Sequence, residues 1–119
     1  IEIELGTKIG KNFRISHGVG IVIGSKVKIG NNVKILQGVT LGGSFNKTAE
    51  YKNLIIEQPV IEDNILIGAG AVIIGPVVIK SNSIIGANSV VTKSFDENSL
   101  IAGNPAKLLK KIKNNEYKF

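Results

Sequence analysis

The chain has no cysteine, no methionine and no tryptophan, and only one histidine, His17, in 119 residues. Without cysteine there is no disulfide framework and no thiolate zinc site. A lone histidine also argues against an imidazole-built metal centre. Aromatic residues are scarce, at two tyrosines and four phenylalanines. A nucleic-acid surface in which basic side chains alternate with stacking rings is therefore not expected. No apolar run approaches the roughly 18 residues needed to span a bilayer, so no membrane span is expected. The opening residues carry no charged-then-apolar leader, and a cytoplasmic location is the expectation. Alternating helical stretches are missing too, which excludes a TIM barrel or a doubly wound sheet.

What is present in excess is β-branched aliphatic residues, 20 isoleucines and 11 valines. Such side chains suit extended, pleated backbone. The length is right for one domain, taken as residues 1–119.

The aliphatic residues are periodic. Ile3, Ile9 and Ile15 open a series with a spacing of six; after a slip of two residues it resumes at Ile23, Ile29, Ile35 and Leu41. A second run holds Ile61, Ile67, Ile73, Ile79, Ile85 and Val91. A second apolar or small column follows four residues behind the first: Thr7, Phe13, Val19, Val27, Val33, Val39, Ile65, Ala71, Val77, Ser83 and Ser89. Asparagine recurs between them, at Asn12, Asn31, Asn32, Asn64, Asn82 and Asn88, where a sharp turn needs positive φ. A period of six fits neither a 3.6-residue helix nor simple alternation. It fits a short strand plus a tight corner, three of which close a triangular coil of about 18 residues that stacks into a solenoid. Each aliphatic residue of the first column then points inward and contributes about 1.5–3 kcal/mol by burial.

Two stretches fall outside the period. Residues 42–60 read GGSFNKTAEYKNLIIEQPV and form a mid-chain loop. A loop of that length in a compact domain is a candidate functional segment. After Val91, the run Ile101-Ala102-Gly103-Asn104-Pro105 makes a turn, and residues 106–113 form a short basic helix with Leu108, Leu109 and Ile112 at helical spacing. The formal net charge of +6 is concentrated in that tail: residues 107–119 hold five lysines against one glutamate, and the remainder ten basic residues against eight acidic ones.

Residues 9–43 (IGKNFRISHGVGIVIGSKVKIGNNVKILQGVTLGG), the coils of 67–93 with IGAGAVIIG and IIGANSVVTK, and the ending IAGNPAKLLK together resemble the hexapeptide-repeat acyltransferases, in particular serine acetyltransferases and related sugar O-acetyltransferases. The resemblance implies an all-β, left-handed parallel β-helix with coils over about 3–41 and 61–93. It further implies acetyl-CoA as co-substrate, no metal, and a homotrimer whose active sites lie between subunits.

A hydroxyl is a poor nucleophile near neutral pH, so a base must take its proton during attack. Histidine suits the task, and His17 stands at the two-residue slip, where the family carries its catalytic histidine. A base needs an orienting partner. The family has one acid fifteen residues before the histidine, here Glu2, and another directly before it, where this chain has Ser16. The family match puts Gly43 beside the thioester, where backbone N–H groups can meet a developing oxyanion. It also implies Ala69 and Ala87 along the pantetheine arm, and Thr92, Lys93, Lys107 and Lys110 near the adenine and phosphates. With no cysteine and no nucleophile elbow, direct transfer within a ternary complex is expected.

Serine acetyltransferases carry an Arg-His pair before a proline in the mid-chain loop, which reads the acceptor's carboxylate and hydroxyl. Here Glu57 and Gln58 precede Pro59, in a longer loop with Phe45 and Tyr51. These residues favour a sugar hydroxyl as acceptor, with Glu57 and Gln58 binding it. Serine, an amino-sugar nitrogen and a non-catalytic scaffold remain the alternatives.

Overall fold

The computed structural model describes residues 1–113; the end of the basic tail, 114–119, lies outside the described residues. The chain winds as a three-sided prism of short strands. The first coil holds β1 (Glu2–Ile3), β2 (Lys8–Ile9) and β3 (Arg14–Ser16), and the second β4 (Val22–Ile23), β5 (Lys28–Ile29) and β6 (Val33–Leu36). The third opens with β7 (Thr40–Gly42), leaves the prism for β8 (Ala49–Tyr51) and β9 (Leu54–Ile56), and returns with β10 (Val60–Ile61) and β11 (Ile65–Ile67). The fourth has β12 (Val72–Ile74), β13 (Val78–Ile79) and β14 (Ser83–Ile85), and the chain ends in β15 (Val90–Val91), β16 (Ser99–Gly103) and β17 (Ala106–Lys111).

Three parallel ladders build the faces. The first face runs β1-β4-β7-β12-β15, the second β2-β5-β10-β13, and the third β3-β6-β11-β14-β16. Register shows how the sequence feeds them. Ile23 pairs with Leu41 and Ile73 with Val91, each one regular 18-residue coil apart. Ile3 pairs with Ile23, two residues more, which absorbs the slip. The path continues past Val91 into a shortened fifth coil, in which Phe95 bridges to Ile79 and Ile101 pairs with Ile85.

The inward column is dry: from Ile23 to Val91 none of its members exceeds 4% exposure. The second column is buried as well, but in the slipped coil Ile21 occupies it (1% exposed) and Val19 points out at 79%. Ile21 is six residues before Val27, so it keeps the step that Val19 breaks. The serines of this column are buried without penalty, because each hydroxyl donates to the carbonyl three residues back: Ser83 to Lys80 at 2.9 Å, Ser89 to Gly86 at 2.7 Å and Ser99 to Asp96 at 2.7 Å. Asn12, Asn32, Asn64, Asn82 and Asn98 all adopt φ near +60° at the corner between the second and third faces, and Asn64 donates to Asn82 at 2.8 Å up that edge.

Two sequence expectations change. Residues 106–113 form no helix: β17 runs antiparallel to β16, with Ala102 opposite Lys107 and Leu100 opposite Lys110. The third face ends in an open edge of unpaired backbone groups at β16, and folding back across Asn104–Pro105 satisfies them, which a detached helix would not. Residues 42–60 are also more ordered than a plain excursion. β8 and β9 form a hairpin whose turn residues Lys52 and Asn53 both have positive φ, and Ile56 packs with Val60 and Val78 on the second face. Among the described residues no helix is long and apolar enough to cross a membrane.

Candidate functional site

His17 follows β3 at the corner that leads from the third face to the first. It adopts φ +66°, in the left-handed region, and is exposed. The two extra residues of the slip are spent here, pushing the imidazole and Val19 outward while Ile21 regains the core. Neither His17 nor Glu2 has a side-chain hydrogen bond among the described residues. Glu2 stands on the first face with its N–H bonded to the Ile21 carbonyl at 2.8 Å, and the Ile1 side chain fills the space beside Gly18. The acid and the base therefore flank the same corner.

That corner repeats upward. Gly38 N–H donates to the Val19 carbonyl, Gly70 to Gln37 and Asn88 to Ala69, each at 2.8 Å. Val19, Gln37, Ala69 and Ala87 consequently stack along one edge of the first face, with His17 in the slip at its lower part, and Lys107, opposite Ala102, flanks its far end. Gly20, Gly38 and Gly70 stack along this edge with φ of 72°, 73° and 71°, a left-handed corner conformation that glycine adopts without strain.

Gly43, Glu57 and Gln58 stand on the other edge of the first face, around a pocket of about 310 Å³ shared with Lys26, Ser44, Phe45 and Asn46. Gln58 reaches down one coil: its Oε1 accepts the Lys26 N–H at 3.1 Å, and its Cγ would be 3.1 Å from a Cβ on Gly43. Glu57 forms an ion pair with the Lys26 ammonium. Thr92 and Lys93 follow β15 on this same edge, with the Lys93 ammonium 5.4 Å from the Phe95 ring centre. The structure thus brings the expected residues together as two groups, His17, Glu2, Ala69, Ala87 and Lys107 along one edge, and Gly43, Glu57, Gln58, Thr92 and Lys93 along the other. Lys110 is opposite Leu100 on β17.

Comparison with known proteins agrees with this architecture. Residues 58–93 match the bacterial transferase hexapeptide family (six repeats), and residues 1–37 match the hexapeptide repeat of succinyl-transferase. Serine acetyltransferase of Staphylococcus aureus is 47% identical over 110 residues, 92% of this chain and 49% of that protein. This chain belongs to the hexapeptide-repeat acyltransferase family. Its fold is the left-handed parallel β-helix. The serine acetyltransferase of Neisseria gonorrhoeae superposes with a TM-score of 0.82 at 35% identity, covering 92% of this chain and 40% of that one. The Brucella abortus enzyme in complex with coenzyme A also gives 0.82 at 35%, covering 91% and 41%. The chain spans about half the length of the curated relatives it matches.

Lys26 is the residue of this second group that sequence reasoning missed. Nothing in the SKV run of the second coil marks it; its importance comes from the loop folding down onto it.

Proposed function

We propose that this chain is the catalytic β-helix of an acetyl-CoA-dependent O-acetyltransferase acting in the cytoplasm. The observation that carries the reading is the corner column of Gln37, Ala69 and Ala87 rising from the slip that holds His17, an edge along which a pantetheine arm can lie with its thioester at the imidazole. His17 takes the acceptor hydroxyl's proton as the oxygen attacks the thioester carbonyl, and returns it to the departing thiolate of coenzyme A. Glu2 orients the ring and stabilises its charged form. The Gly43 N–H faces the oxyanion, and Thr92, Lys93, Lys107 and Lys110 meet the phosphates and adenine.

Both groups flank the first face, whose outward residues above Glu2 are Val22, Thr40, Val72 and Val90, mostly apolar. A cyclic trimer with this face toward its axis buries that stripe. It also joins the His17 edge of one copy to the Gly43 edge of the next, which supports a homotrimer with shared sites.

Serine is the acceptor the relatives support, and the charge objection to it is weak, because the Lys26 ammonium already neutralises Glu57. A sugar hydroxyl is the second reading, favoured by Glu57 and Gln58 standing where the serine enzymes carry Arg-His. The test is thiol release from acetyl-CoA with serine, hexoses and amino-sugars, repeated with His17→Asn. Transfer to serine that is lost in the variant is expected; transfer unaffected by the substitution removes His17 as the base.

A further inference from the structure

We propose that Phe45 of one copy closes the His17 site of the next, as an apolar wall that packs on the acetyl thioester and keeps water from it. This rests on the transferase reading and the shared trimer sites above, and it names a side chain that the partner copy must supply.

Two exposed apolar residues lead to it. Phe45 is 98% exposed and Val19 is 79% exposed. Each stands two residues beyond a candidate group of the site, Phe45 after Gly43 and Val19 after His17. They lie on opposite edges of the first face, and their exposure shows that they do not cover each other within one copy. A single exposed apolar residue is ordinary. Two that flank the reactive groups, on the very edges that the trimer joins, make a matched pair, and aromatic rings are favoured where such a contact is buried.

The backbone holds the ring out. The Lys47 N–H donates to the Ser44 carbonyl at 3.4 Å and closes a turn with Phe45 and Asn46 at its tip, where Asn46 takes φ +58°. At the base of the turn Gly42 is in register with Ile74, and its carbonyl accepts the Gly75 N–H at 2.9 Å. A tight turn on the end of β7 thus presents the ring already ordered, which lowers the cost of docking it. The pocket beside it gives no apolar cover: Phe45 is the sole apolar side chain among its lining residues, which include Lys26, Glu57 and Gln58.

Reach follows from chain length. Two residues span at most about 7 Å of backbone. With the Gly43 N–H of one copy at the thioester beside the next copy's His17, Phe45 is within reach of the same thioester. Between the two edges runs the outward stripe of Val22, Thr40, Val72 and Val90, and Val22 is 37% exposed. Burying that stripe against the trimer axis brings the ring toward Val19 and the imidazole of the neighbour. A dry wall there suppresses hydrolysis of the thioester while the bound hydroxyl attacks.

The chain has no cysteine, so thiols can be introduced without background. The Val19→Cys, Phe45→Cys protein, treated with a short bis-maleimide, should give chains linked into dimers and trimers on a denaturing gel, and neither single variant should. Linkage within one chain only, or none, overturns the proposal. In the intact protein Phe45→Ala should leave melting temperature and assembly mass unchanged. Acetyl transfer from acetyl-CoA to L-serine should fall by about tenfold or more, with a larger share of the released thiol arising from hydrolysis. Phe45→Leu should keep part of the transfer. Unchanged coupling of thiol release to acetylation in Phe45→Ala overturns the proposal. Hybrid trimers of Phe45→Ala and His17→Asn chains, purified through two tags, should regain about one third of the parent rate, because each ring has one seam that draws both intact residues. Hybrids that stay at the mean of the two variants place the ring at its own copy's site and overturn the proposal. A parent protein that acetylates nothing marks failure of the transferase reading instead, and the linkage result still decides which copy the ring faces.

Discussion

Gln58 lies directly over Gly24. A Cβ built on that glycine would collide with the Gln58 Oε1, the same oxygen that accepts the Lys26 N–H at 3.1 Å. One side chain thus ties the descending loop to the second coil, and the missing Cβ is what lets it do so.

Gly24→Ala should push the Gln58 amide out of this seat. The loss is one solvent-exposed hydrogen bond, at most about 0.5–1.5 kcal/mol, and since the clash is with the end of a flexible side chain the fold should survive. If Gln58 contacts the acceptor, the acceptor KM should rise severalfold with the KM for acetyl-CoA unchanged. Steady-state kinetics with each substrate varied in turn will tell. An equal rise in both constants would mean that the loop as a whole had moved.

His17 can be separated from the fold by its own backbone. At φ +66° a side chain is strained unless it is glycine or a short polar residue such as asparagine. His17→Asn should therefore melt at or above the parent temperature while acetyl transfer falls by about 10²–10⁴-fold, the usual worth of a general base. A variant that loses stability and activity together would mark the residue as structural. Thermal melts and thiol-release rates on the same preparation decide between the two.

The prism was legible because its core positions are chemically redundant: Ile23, Ile29, Ile35 and Leu41 all face inward, and nothing but a six-residue coil step explains them. The slip was only half legible. Val19 and Ile21 are both apolar, and the choice between them depends on which keeps step with Val27 in the stacked coil. Leu108, Leu109 and Ile112 satisfy helical spacing locally, but the open edge of β16 outweighs that preference, and spacing carries no information about an open edge. The hairpin had a partial signal, Lys52-Asn53 ahead of the apolar triplet Leu54–Ile56, overshadowed by the break in period around it. The two groups of site residues could be named from the resemblance, yet their separation onto opposite edges of one face follows only from register.

Tyr51 anchors the hairpin through its hydroxyl, which donates to Glu62 Oε2 at 2.6 Å, while Glu62 Oε1 accepts the Ser81 N–H at 3.2 Å. Burial, and next the bond to Glu62, raise the phenol above its ordinary value of 10.0, against the opposing influence of Lys52. A raised acid favours the neutral form in the fold, so its stabilisation is complete below about pH 10 and is lost as the folded-state phenol ionises at higher pH. Tyr51→Phe should cost about 0.5–1.5 kcal/mol near neutrality, discounted for partial exposure. Denaturant titrations at pH 8 and pH 11 should show the gap between parent and variant narrowing at the higher pH. A gap of constant size would mean that the bond does not control the ionisation.

Core substitutions should differ in cost with burial. Ile35 is fully buried, whereas Ile3 is 39% exposed. Ile35→Ala removes atoms enclosed by stacked coils that cannot collapse without breaking register, so it should cost about 2–5 kcal/mol. Ile3→Ala removes atoms already partly in water and should cost less than about 1 kcal/mol. Chemical denaturation of the two variants measures the difference. Equal costs at the two positions would show that Ile3 is covered in solution as fully as Ile35.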